Sequence, residues 1–149
     1  NLVICAPDDK ATLAVRLMAD KNIGCVIVCD SEGRPVGIVT RRDIMRLTVE
    51  GGDFSSTSVH ECMSAPVKTA LTTETIDDAG LRFLSEGFRH LVVITEAGDL
   101  FGILSETDVV NSQGVEHDLF LRSVSEVVNR DSLIIPHYEK VRTAAERLK

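Results

Sequence analysis

The chain has 149 residues, 44% of them hydrophobic and 26% charged, enough for one compact domain or two small subdomains around a buried core. Its net charge of -7 argues against general binding to nucleic acid or to a membrane surface, because no extended basic stripe is present to displace counterions from phosphates. No apolar run approaches the roughly 20 residues needed to cross a bilayer, and Asn1 to Pro7 carries no basic region followed by an apolar stretch, so the expectation is a cytoplasmic protein.

In chain order, "LVIC" at 2–5 is a short leading strand, and "KATLAVRLMADKNIG" places Leu13, Ala14, Leu17 and Met18 on one helical face. Asn22 and Gly24 supply its stop signal. The β-branched "CVIVCD", the turn-forming "DSEGRP" and "VGIVT" predict a hairpin with Gly33 at the turn. After Thr40 the pattern returns to helical, with Ile44, Met45 and Leu47 apolar among Arg41, Arg42 and Arg46. Residues 50–66 read as a linker. The same order then repeats: strand "VKTAL", helix "TIDDAGLRFLSEG", strand "HLVVIT", turn "EAGD", strand "LFGIL" and helix "ETDVV".

The repetition has a fixed offset of 65 residues, which pairs Ala14 with Ala79, Val28 with Val93, Gly33 with Gly98, Gly37 with Gly102, Thr40 with Ser105 and Asp43 with Asp108. The first copy is expected over 1–49 and the second over 67–112. Neither would bury much core alone, so face-to-face packing about a pseudo-twofold axis, with two related clefts at the seam, is the economical arrangement. In the tail, 113–149, "GVEHDLFLRSVSEVV" reads as an amphipathic helix, and "SLIIPHYEKVRTAAERLK" matches the strand and first helix of a third copy. That half-repeat, with a start at Asn1 rather than Met, points to a longer parent chain with further repeats, or to a connector to an effector domain.

Cys5, Cys25, Cys29 and Cys62 contain no CxxC spacing and read as small buried thiols. His60, His90, His117 and His137 are scattered, and no metal site is expected. The catalytic patterns GxxxxGK[ST], GxSxG and HExxH are absent, so an enzyme ranks last among the function classes.

The β-α-β-β-α order, the "CMSAP" before "VKTAL", and the pair "GIVTRRD" and "GILSETD" resemble the cystathionine-β-synthase (CBS) domain, over about residues 2 to 112. The family's motif is Gly, two apolar residues, Thr or Ser, two variable residues, then Asp. The resemblance implies an α/β (α+β) fold of tandem repeats, a Bateman module, in which clefts between repeats sense adenosine-containing ligands such as AMP, ADP, ATP, S-adenosylmethionine or NAD(H). It also implies a homodimer and a regulated effector.

The motif has a physical logic of its own. An aspartate one turn into a helix offers two acceptor oxygens that suit the paired hydroxyls of a ribose. Thr40 or Ser105 stands where free backbone N–H groups gather, a natural place for a phosphate oxygen. Arg41 and Arg42 can add charge-assisted bonds to that phosphate, and Thr107 lies beside Asp108 in the second copy. The motif glycine, Gly37 or Gly102, frees space on its strand for a close backbone approach. Ile4, Cys5 and Ala6, or Thr69, Ala70 and Leu71, would flank a flat purine.

The same residues also fit a capping box, in which the carboxylate turns back to the cap amide and is not free for a ribose. A structural or dimerising module with degenerate clefts is the corresponding alternative function. The copies differ in charge: "TRRD" suits an anionic ligand, whereas "SETD" puts Glu106 near any phosphate, with Arg89 and His90 placed to offset it. Tighter nucleotide binding is therefore expected at the Asp43 end. Ligand occupancy is expected to change the relative orientation of the copies and to reach an effector through residues 113–128.

Overall fold

The computed structural model describes residues 2–113 and 123–128, which fall into two units divided between Pro66 and Val67. The expected helix at the start of the tail and the third-copy strand and helix lie outside the described residues, except for Ser123–Val128.

The first unit contains β1 (Ile4–Cys5), α1 (Ala11–Asp20), β2 (Cys25–Cys29), β3 (Pro35–Thr40), α2 (Arg41–Val49) and α3 (Val59–Cys62). The second contains β4 (Thr69–Leu71), α4 (Ile76–Glu86), β5 (His90–Ile94), β6 (Leu100–Ser105), α5 (Glu106–Gln113) and α6 (Val124–Val127). Each unit is a mixed α+β fold on a three-stranded sheet, ordered β1-β2-β3 and β4-β5-β6. The middle strand pairs parallel with the leading strand and antiparallel with its hairpin partner. A strand flanked on both edges and covered on both faces must be apolar throughout, and all five residues of β2 are buried. Both hairpins shift register at matching places, Val28/Cys29 and Val93/Ile94, so the irregularity is duplicated with the fold.

The helices end by the same device with different residues. Asn22, at φ 51°, takes the left-handed turn after α1, and Gly87, at φ 70°, takes it after α4, 65 positions later. Asn tolerates this conformation less readily than Gly, but both return the chain to the sheet.

Two separate cores follow. In the first unit Ala14, Leu17, Met18, Val26, Val28 and Val39 pack with Val59 and Cys62 of α3. In the second, Ala79, Phe83, Leu91, Val93, Leu104 and Val124 do so. The stretch 50–66 is thus bound into the first unit. Its carbonyls at Phe54 and Thr57 accept the orphan amides of Thr12 and Ala11 at the start of α1, at 3.1 and 3.0 Å. Val59 N–H donates to Asp9 at 2.7 Å, and Val124 N–H donates to Glu74 at 2.9 Å in the matching place. Four-residue helices are too short to show periodicity; the signal for α3 is the Ser58-x-x-Glu61 capping box that starts it.

Candidate functional site

The sheet register builds the site. In the first hairpin Cys25 stands opposite Thr40, and in the second His90 stands opposite Ser105. The carbonyl just before each middle strand, Gly24 or Arg89, accepts the first helical amide of Arg41 at 3.2 Å or Glu106 at 3.1 Å. Strand end, helix start and the turn before the middle strand are therefore tied together in both units. Arg89 and His90 consequently lie beside "SETD": the Arg89 guanidinium is 3.9 Å from the Glu106 carboxylate, both largely exposed. At that distance and exposure the pair contributes little stability, but it does set an opposite charge next to Glu106.

Both motif aspartates turn back to their caps. Asp43 Oδ2 accepts from Thr40 N–H at 2.8 Å and from Thr40 Oγ1 at 2.6 Å. Asp108 Oδ2 accepts from Ser105 N–H at 2.8 Å and from Ser105 Oγ at 2.6 Å. The two bonds from cap to carboxylate have the same lengths to within a tenth of an ångström.

The second carboxylate oxygen separates them. Asp43 Oδ1 accepts from Ser64 Oγ at 2.9 Å and lies 3.3 Å from Arg46 Nη2, and the residue is 2% exposed, the only buried charged residue among those described. Asp108 is half-buried, and its Oδ1 has no partner among the described residues. Asn111 stands where Arg46 would repeat. Buried carboxylates persist only when their oxygens are satisfied, so Ser64 and Arg46 are the reason Asp43 can be enclosed. Arg46 is an i,i+3 neighbour on α2, but Ser64 was not legible in the sequence: it lies 21 residues away, and only the fold brings it over α2.

The remaining predicted residues divide by face. Arg41 and Arg42 are exposed and make no ion pair among the described residues, leaving two cations beside Thr40. Thr107 is exposed. Strand alternation splits the proposed purine flank: Cys5 and Ala70 face the cores, at 1% and 0% exposure. Ile4, Ala6 and Thr69 are half-buried and Leu71 is exposed, so these four carry the accessible surface of the leading strands. The open space at Gly37 is taken by a side chain of the protein itself. A β-carbon there would overlap the Met63 sulfur, so the glycine admits Met63.

All four cysteines are buried and free, as expected. Burial, reinforced by the charge of Asp9, pushes the Cys5 thiol far above its ordinary value, and burial pushes Cys29 up to about 12. These are unreactive packing thiols. Among the described residues no cluster of His, Cys, Asp or Glu could hold a metal ion, and no helix is long and apolar enough to cross a membrane.

Comparison with known proteins gives this geometry a context. The CBS domain model matches residues 1–50 and 59–114. An uncharacterised 17.7 kDa protein of Acidianus ambivalens is 32% identical over 136 residues, covering 91% of this chain and 82% of that protein. The chain spans only 57% and 55% of two other relatives, from Methanopyrus kandleri and Methanocaldococcus jannaschii. Among solved structures, a putative signal-transduction protein with CBS domains from Burkholderia ambifaria is 28% identical with a TM-score of 0.73, over 82% of this chain and 89% of that one. A CBS domain protein of Pyrobaculum aerophilum complexed with AMP shares the fold at 23% identity and a TM-score of 0.68, over 80% of this chain and 88% of that one.

Proposed function

The chain belongs to the CBS domain family, and from that premise we propose that it is a regulatory sensor that binds an adenosine-containing ligand at its duplicated helix starts and controls a linked or partner effector. The observation that carries this reading is the pairing of two Thr/Ser-x-x-Asp starts in identical register with two exposed arginines, Arg41 and Arg42, beside the first. At the first start a phosphorylated nucleoside such as AMP gains the two guanidinium groups, while Asp43 takes the ribose hydroxyls. At the second, Glu106 opposes a phosphate, so Ser105, Thr107 and Asp108 suit an adenosine ligand without one, S-adenosylmethionine being an example. Ile4, Ala6, Thr69 and Leu71 supply apolar surface for the base. The ligand here is a regulator and not a catalytic cofactor.

A structural, dimerising module is the second reading, and the caps favour it, since they account for both motif aspartates without a ligand. Each unit exposes apolar side chains that a homodimer would cover: Met45 and Val49 on α2 of the first are 66% and 84% exposed, and Val110 on α5 of the second, 65 positions after Met45, is 62% exposed.

A thermal-shift screen with AMP, ADP, ATP, S-adenosylmethionine and NADH separates the readings. A ligand at about 100 times its dissociation constant stabilises the folded state by about 2.7 kcal/mol, a readily visible shift. No shift from any of the five at millimolar concentration overturns the sensor and leaves the structural module.

A further inference from the structure

Asp43 is held on both sides, and the second side reaches the segment through which the chain leaves the first unit. Its Oδ1 accepts from Ser64 Oγ at 2.9 Å. Ser64 is also clipped to β3 by its backbone, donating to Ile38 at 2.9 Å and accepting from Ile38 at 3.1 Å. Arg46 joins the same segment to α2, since one Nη2 lies 3.3 Å from Asp43 Oδ1 and donates to the Cys62 carbonyl at 2.9 Å. Residues 62–64 are thus fastened to the helix start through one carboxylate oxygen and one guanidinium, two residues before the first unit ends at Pro66.

A ribose that takes both oxygens of Asp43 must compete with Thr40 at Oδ2, and at Oδ1 it must displace Ser64 Oγ and compete with Arg46. Ser64 is itself exposed, so water can satisfy its hydroxyl once released. Ligand at Asp43 and closure of Ser64 on Asp43 therefore exclude each other, and by linkage each weakens the other. We propose that Ser64, Asp43 and Arg46 form a latch that ligand opens, loosening residues 62–66 where the chain passes to the second unit. This rests on the adenosine-ligand reading and adds the route by which occupancy leaves the site. The second unit has Asn111 in place of Arg46, and no partner among the described residues holds Asp108 Oδ1, so among the described residues the latch is found in the first unit.

The test uses the full chain with AMP as probe, comparing wild type, Ser64→Ala and Asp43→Ala by calorimetry and by hydrogen exchange of the Ile38 and Ser64 amides. With its competitor removed, Ser64→Ala should bind AMP about threefold to tenfold more tightly. Saturating AMP should lower protection of both amides in the wild type. The latch is overturned if AMP binds in a manner that Asp43→Ala abolishes, yet Ser64→Ala matches or weakens the wild-type affinity, or both amides keep their protection. If AMP binds the wild type and Asp43→Ala equally, or neither, the ligand reading at Asp43 falls and takes the latch with it.

Discussion

The two units share a frame to the residue and differ in what they hang on it. Strand order, hairpin irregularity, bridges such as Lys10 to Ser58 and Thr75 to Ser123, and the Thr40 and Ser105 caps all recur at the 65-residue offset. What does not recur among the described residues is the filling and the locking. Met18 and Ile23 of the first unit become Phe83 and Phe88 in the second, whose rings meet edge-on at 5.4 Å. All four cysteines lie in the first unit. Asp43 is enclosed by Ser64 and Arg46, whereas Asp108 keeps one uncommitted oxygen among the described residues. Backbone conformation tolerates few solutions and is duplicated with the fold, while packing and side-chain locks tolerate many and have diverged.

The largest expected effect sharpens the contrast of the cores. Phe83→Ala should cost about 4 kcal/mol and Met18→Ala about 3 kcal/mol, the difference being the larger ring and its edge-on partner. Urea titration followed separately in each unit would read both, and a larger loss for Met18→Ala would break the comparison. Next come the aspartates. Asp43→Ala removes the same cap together with the bonds to Ser64 and Arg46 and leaves an enclosed gap, for a loss of about 2–3 kcal/mol, whereas Asp108→Ala removes a cap worth about 1 kcal/mol. Equal losses in chemical denaturation would mean that the lock on Oδ1 adds nothing.

The last effect is alkaline and grows with pH. The folded first unit keeps Cys5 and Cys29 protonated above their ordinary value of 9.0, while the unfolded chain ionises them. The unfolded state therefore binds fewer protons above pH 9, and stability present below that pH falls as pH rises, until the folded thiols themselves ionise. The slope is about 1.4 kcal/mol per pH unit for each thiol. Denaturation midpoints between pH 8 and pH 10.5 should fall for the first unit more than for the second, and Cys5→Ala should flatten the fall. A Cys5→Ala profile as steep as the wild type would show that this thiol ionises in the folded state.

Much of this was legible in the sequence because it is periodic and local. Leu17 and Met18 marked a helix face, Asn22 its end, Gly33 a turn, and the offset joined Thr40 to Ser105. Strand alternation would have withdrawn Cys5 and Ala70 from the purine flank had the register been known, but two- and three-residue strands carry too few positions to fix it. The contacts of Ser64, Arg46 and Met63 were not legible, because each depends on where 50–66 returns over α2 and β3, a tertiary event with no local pattern. The linker and the cap thus hid the feature that most distinguishes the two motif copies.

The central claim is that the first helix start is the one equipped for an anionic adenosine ligand. Calorimetry with AMP on the Arg41→Ala/Arg42→Ala double variant, beside Asp108→Ala, tests it with substitutions that leave both cores untouched. Loss of two charge-assisted contacts should weaken binding about tenfold or more in the first variant, while the second stays within about twofold of wild type. Unchanged affinity in the arginine variant with abolished binding in Asp108→Ala would contradict it.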